Sequence, residues 1–245
     1  MDALILAAGS GRRLGGHTPK CLVDMGGRPL IDLAVEALEW AGVKRTVVVA
    51  GYQADDVRDA LPPGTPMVIN PDYLETNSLY SFWLARHEIG EEVLVLNGDV
   101  LFHPVIARAL VRRPRSALAY DSRSGDEDEQ MKLIVRGGGL TAMSKMLSPE
   151  RSCGESVGMV RLSGAATEAT FDIAGRLVAA GRENDWLPAA LNRVAREHRI
   201  DCMDVAGMPW TEIDVPADLA RARAQVLPAI APATEVRARK VAAAA

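Results

Sequence analysis

Short apolar runs alternate with segments of helical periodicity along the first half of the chain. The runs span residues 3–8, 46–50, 66–70 and 92–99. Strands this apolar are typical of a parallel sheet buried on both faces. Between them, helical spacing predicts one helix that Pro29 opens and Gly42 closes, and a second from Ser78 to about Ile89. The pattern predicts an α/β fold, with helices on both faces of a mostly parallel, Rossmann-like mixed sheet.

The second half has a different pattern and predicts a smaller, β-rich part. Strands are expected at 116–122, 131–144, 154–164 and within "DCMDVA" and "WTEIDV", and helices at about 165–181, 186–198 and 216–226. The acidic run 125–130 is expected to be a solvated loop. We therefore predict one domain over 1–227, with halves 1–112 and 113–227, and a disordered Ala/Pro-rich tail over 228–245.

Composition narrows the functional class. The chain has 245 residues and a formal net charge of −4, which argues against a broad nucleic-acid surface. No apolar run approaches the roughly 20 residues that span a bilayer, and the N-terminus lacks the pattern of a signal peptide. Three dispersed cysteines predict no disulfide framework, and the histidine spacing predicts no zinc site. We expect a cytoplasmic protein without a membrane or nucleic-acid partner.

The stretch "LILAAGSGRRLGG" (4–16) is a glycine loop that directly follows the first predicted strand. A dinucleotide fingerprint needs glycine where Leu14 stands, and an acidic residue where Gly51 and Tyr52 follow the second strand. A P-loop needs lysine where His17 stands. Both alternatives lack the residues on which their chemistry depends.

"LAAGSGRRL" followed by "TPKCLV" resembles the nucleotidyltransferases, a superfamily of MobA-like and sugar-phosphate enzymes with the pattern LAAGxGxR, a short gap, then PK. The resemblance covers about 1–227 and is closest to the phosphocholine, inositol-1-phosphate and phosphonate cytidylyltransferases. It implies that Arg13 and Lys20 neutralise the triphosphate and act in catalysis. It also implies a backbone contact with the nucleotide from Leu6, Ala7, Ala8, Gly9, Gly11 and Gly51.

The segment "NPDYLETNSLYSFWLAR" (70–86) is similar to the region near the nucleobase in those cytidylyltransferases. The resemblance implies that Thr76, Asn77 and Ser78 face cytosine or ribose. Asn and Ser are also good helix N-caps, so a purely structural role stays open. Two departures from the family are the serine at 78, where many relatives have a second asparagine, and a short gap between Arg13 and Lys20.

Two aspartates follow predicted strands, Asp99 in "LNGDVLF" and Asp214 in "WTEIDVPADL". Asp99 lies at the carboxyl edge of the sheet, where α/β proteins bind ligands. In the family these two aspartates hold a magnesium ion that bridges the phosphates, and two oxygen ligands suit Mg²⁺. Each residue alone also fits a turn or a helix cap.

The resemblance further places Lys132 of the "MK" pair near the transferred or attacking phosphate, as a catalytic and acceptor-binding residue, and Glu155 of the "GE" pair in the acceptor pocket. Phosphocholine enzymes have an aromatic and acidic cluster in a region that matches Trp186 and Asp185, where cation–π attraction holds a quaternary ammonium. The alternatives are an exposed strand lysine for Lys132, a loop carboxylate for Glu155 and a core residue for Trp186.

These features predict a Mg²⁺-dependent cytidylyltransferase. It would transfer CMP from CTP to the phosphate or phosphonate of a small acceptor and release pyrophosphate. Phosphocholine, a polyol phosphate and a phosphonate all remain open as acceptors. The alternative is a sugar-1-phosphate nucleotidyltransferase that uses UTP, dTTP or GTP. The sequence does not determine the oligomeric state, and a homo-oligomer stays open.

Overall fold

The computed structural model describes residues 1–15 and 18–230 of the chain. Its strands are β1 (Asp2–Ala7), β2 (Arg45–Ala50), β3 (Met67–Ile69), β4 (Glu92–Asn97), β5 (Val100–Phe102), β6 (Ala117–Asp121), β7 (Lys132–Arg136), β8 (Gly139–Ser144), β9 (Glu155–Ser163), β10 (Asp201–Asp204) and β11 (Trp210–Glu212). Its α-helices are α1 (Leu30–Ala41), α2 (Ala54–Asp59), α3 (Ser78–Leu84), α4 (Pro104–Val111), α5 (Ala165–Ala179), α6 (Pro188–Val194) and α7 (Pro216–Arg221).

A nine-stranded sheet in the order β3-β2-β1-β4-β9-β6-β10-β8-β7 forms the centre of the fold. The strands β3, β2, β1 and β4 pair in parallel, as the apolar runs predict. From β9 onward the sheet is mixed, because β9 runs antiparallel to β4 and β6 while β10 is parallel to β6. The mixed α/β class is confirmed. Since β9 lies between β4 and β6, both halves of the chain contribute to one sheet.

Helices cover both faces of this sheet. Side chains of a strand alternate between faces, and Ile5 of β1 packs in the cluster with α1 and α4, whereas Leu4 packs in the cluster with Phe82 of α3, α5 and α6. Gly42 ends α1 with φ 101°, in the left-handed region that glycine adopts without strain. The predicted helix from Pro29 to Gly42 is therefore confirmed at both ends.

Three elements were not predicted: α2, α4 and the short strand β5. β5 pairs antiparallel with β11 in a separate two-stranded sheet, which brings the chain after β4 close to the chain after β11. Helix α4 begins at Pro104, and His103 caps it by accepting a hydrogen bond from the Val105 N–H at 3.2 Å. A proline in the first turn is a sequence signal that could have identified this helix.

The C-terminal helix corrects the predicted start of the disordered tail. After α7 the chain continues as a π-helical segment, Ala222–Val226, and residues 227–230 are helical. Ile230 is buried in a cluster with Leu30, Leu101 and Ile213, so order extends past the predicted boundary at 228. Residues 231–245, the rest of the predicted tail, lie outside the described residues, as do residues 16 and 17. None of the helices described has the length and apolar content to cross a membrane.

We expect Phe82→Ala to lower the free energy of unfolding by about 3–5 kcal/mol, because it empties a buried site. Phe82 is fully buried and stacks on Phe171 with ring centroids 4.2 Å apart. Leu74→Ala is the control, since Leu74 is 60% exposed and its truncation should cost less than about 0.5 kcal/mol. Urea unfolding followed by circular dichroism measures both, and equal losses would contradict this assignment of the core.

Candidate active site

The glycine loop after β1 forms one wall of a cleft. Gly11 adopts φ 64°, and a Cβ at this position would lie 3.1 Å from both Lys20 Cγ and the Thr18 carbonyl oxygen. Gly9 faces open space, since a Cβ there would meet nothing within 4 Å. The backbone beside Gly9 is therefore accessible to a ligand, while Gly11 lets the loop pack closely against the segment that carries Lys20.

The cleft has a volume of about 420 Å³ and lies at the carboxyl ends of β1 and β4. Ten of the residues predicted to bind the nucleotide, its phosphates or the metal line it: Leu6, Ala8, Gly9, Arg13, Lys20, Thr76, Asn77, Ser78, Asp99 and Asp214. Trp186 lines it as well. The structure therefore brings the predicted phosphate, nucleobase and metal residues together around one cavity.

Lys20 joins the two predicted metal ligands. Its ammonium donates to Asp99 Oδ2 at 2.9 Å and makes a second, short hydrogen bond to Asp214 Oδ1. Burial on its own would lower the pKa of Lys20, but the two carboxylates together raise it above its usual value. Lys20 therefore carries a positive charge over the whole physiological pH range.

Nearby cations lower the pKa of Asp214. Burial would raise its pKa, but Lys20, and then Arg13 and Lys145, hold the pKa of Asp214 below its usual value. Arg13 Nη2 lies 3.1 Å from Asp214 Oδ1, and Arg13 Nη1 lies 3.6 Å from Glu129 Oε2. The Arg13 side chain is 51% exposed, which leaves its guanidinium accessible to an anion in the cleft.

Glu212 is a third carboxylate at this site that was not predicted. Its ligand oxygen and those of Asp99 and Asp214 all lie within 4.8 Å of one another. Burial, reinforced by the charges of Asp99 and Asp214, raises the pKa of Glu212 to about 8. Glu212 and Asp214 are two positions apart at the end of β11, and this period-two spacing could have identified the pair from sequence.

The carboxylates fit a magnesium ion. Asp99 Oδ1 is buried and has no hydrogen-bond partner among the described residues, so one ligand oxygen is left for a cation. All three donors are carboxylate oxygens, the ligand type that Mg²⁺ prefers.

The start of α3 is held by the segment 183–187. The amides of Asn77 and Leu79 donate to the carbonyls of Glu183 and Asp185 at 3.0 and 3.2 Å, and Ser78 Oγ accepts from the Leu187 amide at 2.9 Å. Asn77 also caps the helix, since its Oδ1 accepts from the Ser78 amide at 2.8 Å.

Asn70 is a buried residue of this region that the sequence patterns missed. Its Nδ2 donates to Thr76 Oγ1 at 3.0 Å and to Ser81 Oγ at 3.1 Å, and its Oδ1 accepts from the Asp72 amide. Asn70 therefore fixes the loop that presents Thr76 to the cleft.

Three residues predicted to contact the nucleotide do not line the cleft: Ala7, Gly11 and Gly51. Ala7 is buried in the core. Gly51 permits close packing, because a Cβ there would lie 2.6 Å from Tyr73 Cβ and 2.9 Å from the Ala8 carbonyl oxygen. These three residues pack behind the residues that line the cleft.

Two residues predicted to bind the acceptor, Lys132 and Glu155, are not brought to the cleft either. Lys132 is 1% exposed, and its ammonium donates to the carbonyls of Glu127, Asp128 and Gln130. It therefore closes the acidic loop 125–130, whose side chains from 126 to 129 are exposed as expected.

Glu155 is buried behind the same loop, where its Oε2 accepts a short hydrogen bond from Ser124 Oγ. In this structure Lys132 and Glu155 order the loop that presents Glu129 to the cleft.

The predicted pair Asp185 and Trp186 is separated. Asp185 forms an ion pair with Arg182 at 2.6 Å and does not line the cleft. Trp186 does, with 46% of the residue exposed, and the ammonium of Lys145 lies 5.2 Å from its ring centroid. Lys145 Nζ also lies 3.3 Å from Glu129 Oε2. Neither Lys145 nor Glu129 was predicted as a site residue.

Glycines, cations and carboxylates gathered at one sheet edge are the arrangement of a nucleotidyltransferase. The family model of the MobA-like NTP transferase domain matches residues 3–244, so the chain belongs to this family. The resemblance seen in "LAAGSGRRL" and "TPKCLV" is confirmed.

Curated relatives and a solved structure agree with this family. The chain is 36% identical over 130 residues to a CMP-5'-(3-aminopropyl)phosphonate synthase of Streptomyces rubellomurinus. This alignment covers 49% of this chain and 20% of that protein. It is 30% identical over 235 residues to a bifunctional IPC transferase and DIPP synthase of Rubrobacter xylanophilus, and this alignment covers 93% of this chain and 52% of that protein. The chain thus spans about half the length, or less, of these relatives.

The inositol-1-phosphate CTP transferase of T. maritima has the same fold, with a TM-score of 0.77 and 22% identity over 94% of both chains.

We expect the stability of Glu155→Gln, relative to the wild type, to increase with pH. Burial raises the pKa of Glu155, against the opposing hydrogen bond from Ser124. The folded state therefore retains this proton more tightly than the unfolded chain. Its contribution to the free energy of unfolding is complete below the unfolded pKa and is lost as pH rises through the folded pKa. Glutamine imitates the protonated form at every pH.

Urea unfolding between about pH 4 and about pH 7.5 measures this difference. Asp126→Asn, which changes an exposed carboxylate of the same loop, is the control and should show no such trend. A difference between Glu155→Gln and wild type that stays constant with pH would contradict the buried, charge-disfavouring environment.

Proposed function

We propose that the protein is a cytidylyltransferase that transfers CMP from CTP to the phosphate or phosphonate of a small acceptor and releases pyrophosphate. The observation that carries the proposal is the contact of Lys20 with both Asp99 and Asp214 beside the open backbone at Gly9. This contact supports the proposal, because a cation that suits a triphosphate lies next to carboxylates that suit a metal. The expected cytoplasmic location is part of the proposal.

Arg13 and Lys20 are proposed to hold the triphosphate and the departing pyrophosphate. Both are cleft residues, and the Arg13 guanidinium can bind two phosphate oxygens through parallel N–H groups. The acceptor oxygen attacks the α-phosphorus, the bond from that phosphorus to the bridging oxygen breaks, and pyrophosphate carries the electron pair away. A phosphate acceptor is largely ionised near neutrality, since its second pKa is about 6, so no general base is needed. Catalysis then consists of positioning and charge neutralisation.

Asp99, Asp214 and Glu212 would hold the magnesium ion. When bound, the ion supplies charge neutralisation for the phosphate oxygens. Lys20 keeps Asp214 ionised, since its charge favours the carboxylate form of that residue. Lys132 remains a predicted catalytic residue, but this role requires its ammonium to leave three backbone carbonyls.

Thr76, Asn77 and Ser78 are proposed to face the nucleobase or ribose. Relatives named as a CMP-phosphonate synthase and an IPC transferase support CTP as the nucleotide. The alternative, a sugar-1-phosphate nucleotidyltransferase that uses UTP, dTTP or GTP, is the outcome against which the proposal is tested.

A pyrophosphate-release assay that crosses the four nucleotides with several acceptors tests the proposal. The acceptors are phosphocholine, inositol 1-phosphate, 2-aminoethylphosphonate and glucose 1-phosphate. We expect kcat/KM with CTP to exceed that with the other nucleotides by about tenfold or more, because a site that hydrogen-bonds one base rejects others. EDTA and Asp99→Asn should each abolish release. Preference for glucose 1-phosphate with UTP, dTTP or GTP would establish the alternative instead.

Lys20→Ala is expected to lower kcat by on the order of 10²-fold or more, because it removes a charge that stabilises the leaving pyrophosphate. Steady-state kinetics with CTP measures the change, and circular dichroism verifies folding. Lys44→Ala, at an exposed lysine outside the cleft, is the matched control and should retain wild-type kcat. Unchanged kcat in folded Lys20→Ala would remove Lys20 from this role.

A further inference from the structure

One part of the cleft has an apolar floor. We call this part the acceptor wall and define it by the cleft residues between 118 and 191. Leu118 of β6, Val160 of β9, Met143 of β8 and Leu191 of α6 lie there, and each is almost completely buried. Leu187 completes this surface beside Trp186. A ligand group that rests on it exchanges water for hydrocarbon.

Uncharged hydrogen-bonding side chains are scarce on the acceptor wall. Among its described residues they are Ser156, whose Oγ already accepts from the Gly158 amide at 3.2 Å, and the indole of Trp186. A polyol has several hydroxyls that lose water on binding and would find few partners here. An unpaired buried hydroxyl is costly, so the wall disfavours a polyol body.

The charges on the acceptor wall disfavour a cationic body as well. The aromatic side chain of the wall, Trp186, already has the Lys145 ammonium 5.2 Å from its ring centroid. The carboxylate of the wall, Glu129, lies 3.3 Å from Lys145 and 3.6 Å from Arg13. A quaternary ammonium at Trp186 would therefore meet a like charge, and the carboxylate that could compensate it is already shared between two cations.

We infer that the acceptor is a phosphate or phosphonate whose organic group is small, apolar and uncharged, and that Lys145 excludes cationic acceptors. The inference rests on the proposed function, since it names the acceptor class of the same site. The phosphoryl end faces Arg13, Lys20 and the carboxylates, and the organic group rests on the floor formed by Leu118, Val160 and Met143. Lys145 is a specificity-determining residue in this arrangement.

A pair of isosteric acceptors tests this inference directly. Phosphocholine and 3,3-dimethylbutyl phosphate have the same shape and differ by the replacement of the quaternary nitrogen with carbon. Isothermal titration calorimetry on the full chain gives the Kd of each, with and without a non-reacting α,β-methylene analogue of CTP. We expect the neutral isostere to bind about tenfold tighter or more, and inositol 1-phosphate to bind more weakly than it.

Lys145→Met should reduce the ratio of the two dissociation constants to about one to threefold, since the repulsion is removed while shape is kept. Lys44→Met, at an exposed lysine outside the cleft, should leave the ratio at its wild-type value. The ratio of the two dissociation constants does not change if a general loss of packing weakens the binding of both ligands equally. The wild-type comparison decides the matter even if Lys145→Met fails to fold.

The outcomes separate the inference from the proposed function. If the CTP analogue binds but phosphocholine binds as tightly as its neutral isostere, or tighter, the inference is overturned and the proposed function stands. If neither acceptor isostere binds, or if Lys145→Met leaves the ratio unchanged, the inference is also overturned. If the analogue does not bind, the proposed function fails, and the inference, which rests on it, fails with it.

Discussion

The ammonium of Lys20, in contact with Asp99 and Asp214, is the interaction on which the rest of the site depends. The two aspartates lie 79 and 194 positions from Lys20 along the chain, and the pairing of β5 with β11 brings the chain after β4 close to the chain after β11. Partly buried carboxylates this close repel one another unless a cation lies between them. Lys20 supplies that cation from a segment directly after the glycine loop. Because of this contact, the loop, the strand ends and the helix after β11 are coupled electrostatically.

Sequence patterns predicted the centre of this site because its residues follow predicted strands. The carboxyl ends of neighbouring parallel strands meet at one edge, so the strand pattern alone was enough to place Asp99 near the glycine loop. Glu212 was missed although the spacing of two in "TEID" indicated it. Its importance comes from burial beside two other carboxylates, which is a property of the folded chain.

The site residues of the second half, 113–227, were harder to predict, because a charged residue that is buried supports the fold instead of contacting a ligand. The family resemblance implied ligand contacts for Lys132 and Glu155, yet both residues are buried and support a loop. The charges that do face the cleft, Lys145 and Glu129, lie in segments without a motif. The tail boundary failed for a similar reason, since one apolar residue, Ile230, finds a pocket formed by distant elements.

The hydrogen bonds that attach residues 183–187 to the start of α3 have a consequence for how such a protein diversifies. The segment contributes Trp186 to the cleft and, through its carbonyls and the Leu187 amide, also holds Asn77, Ser78 and Leu79. A change in this segment that suits a new acceptor also displaces the helix beside the nucleotide. Divergence towards new acceptors is therefore expected to accumulate first at Met131 and Met143, which line the cleft without bonding to that helix.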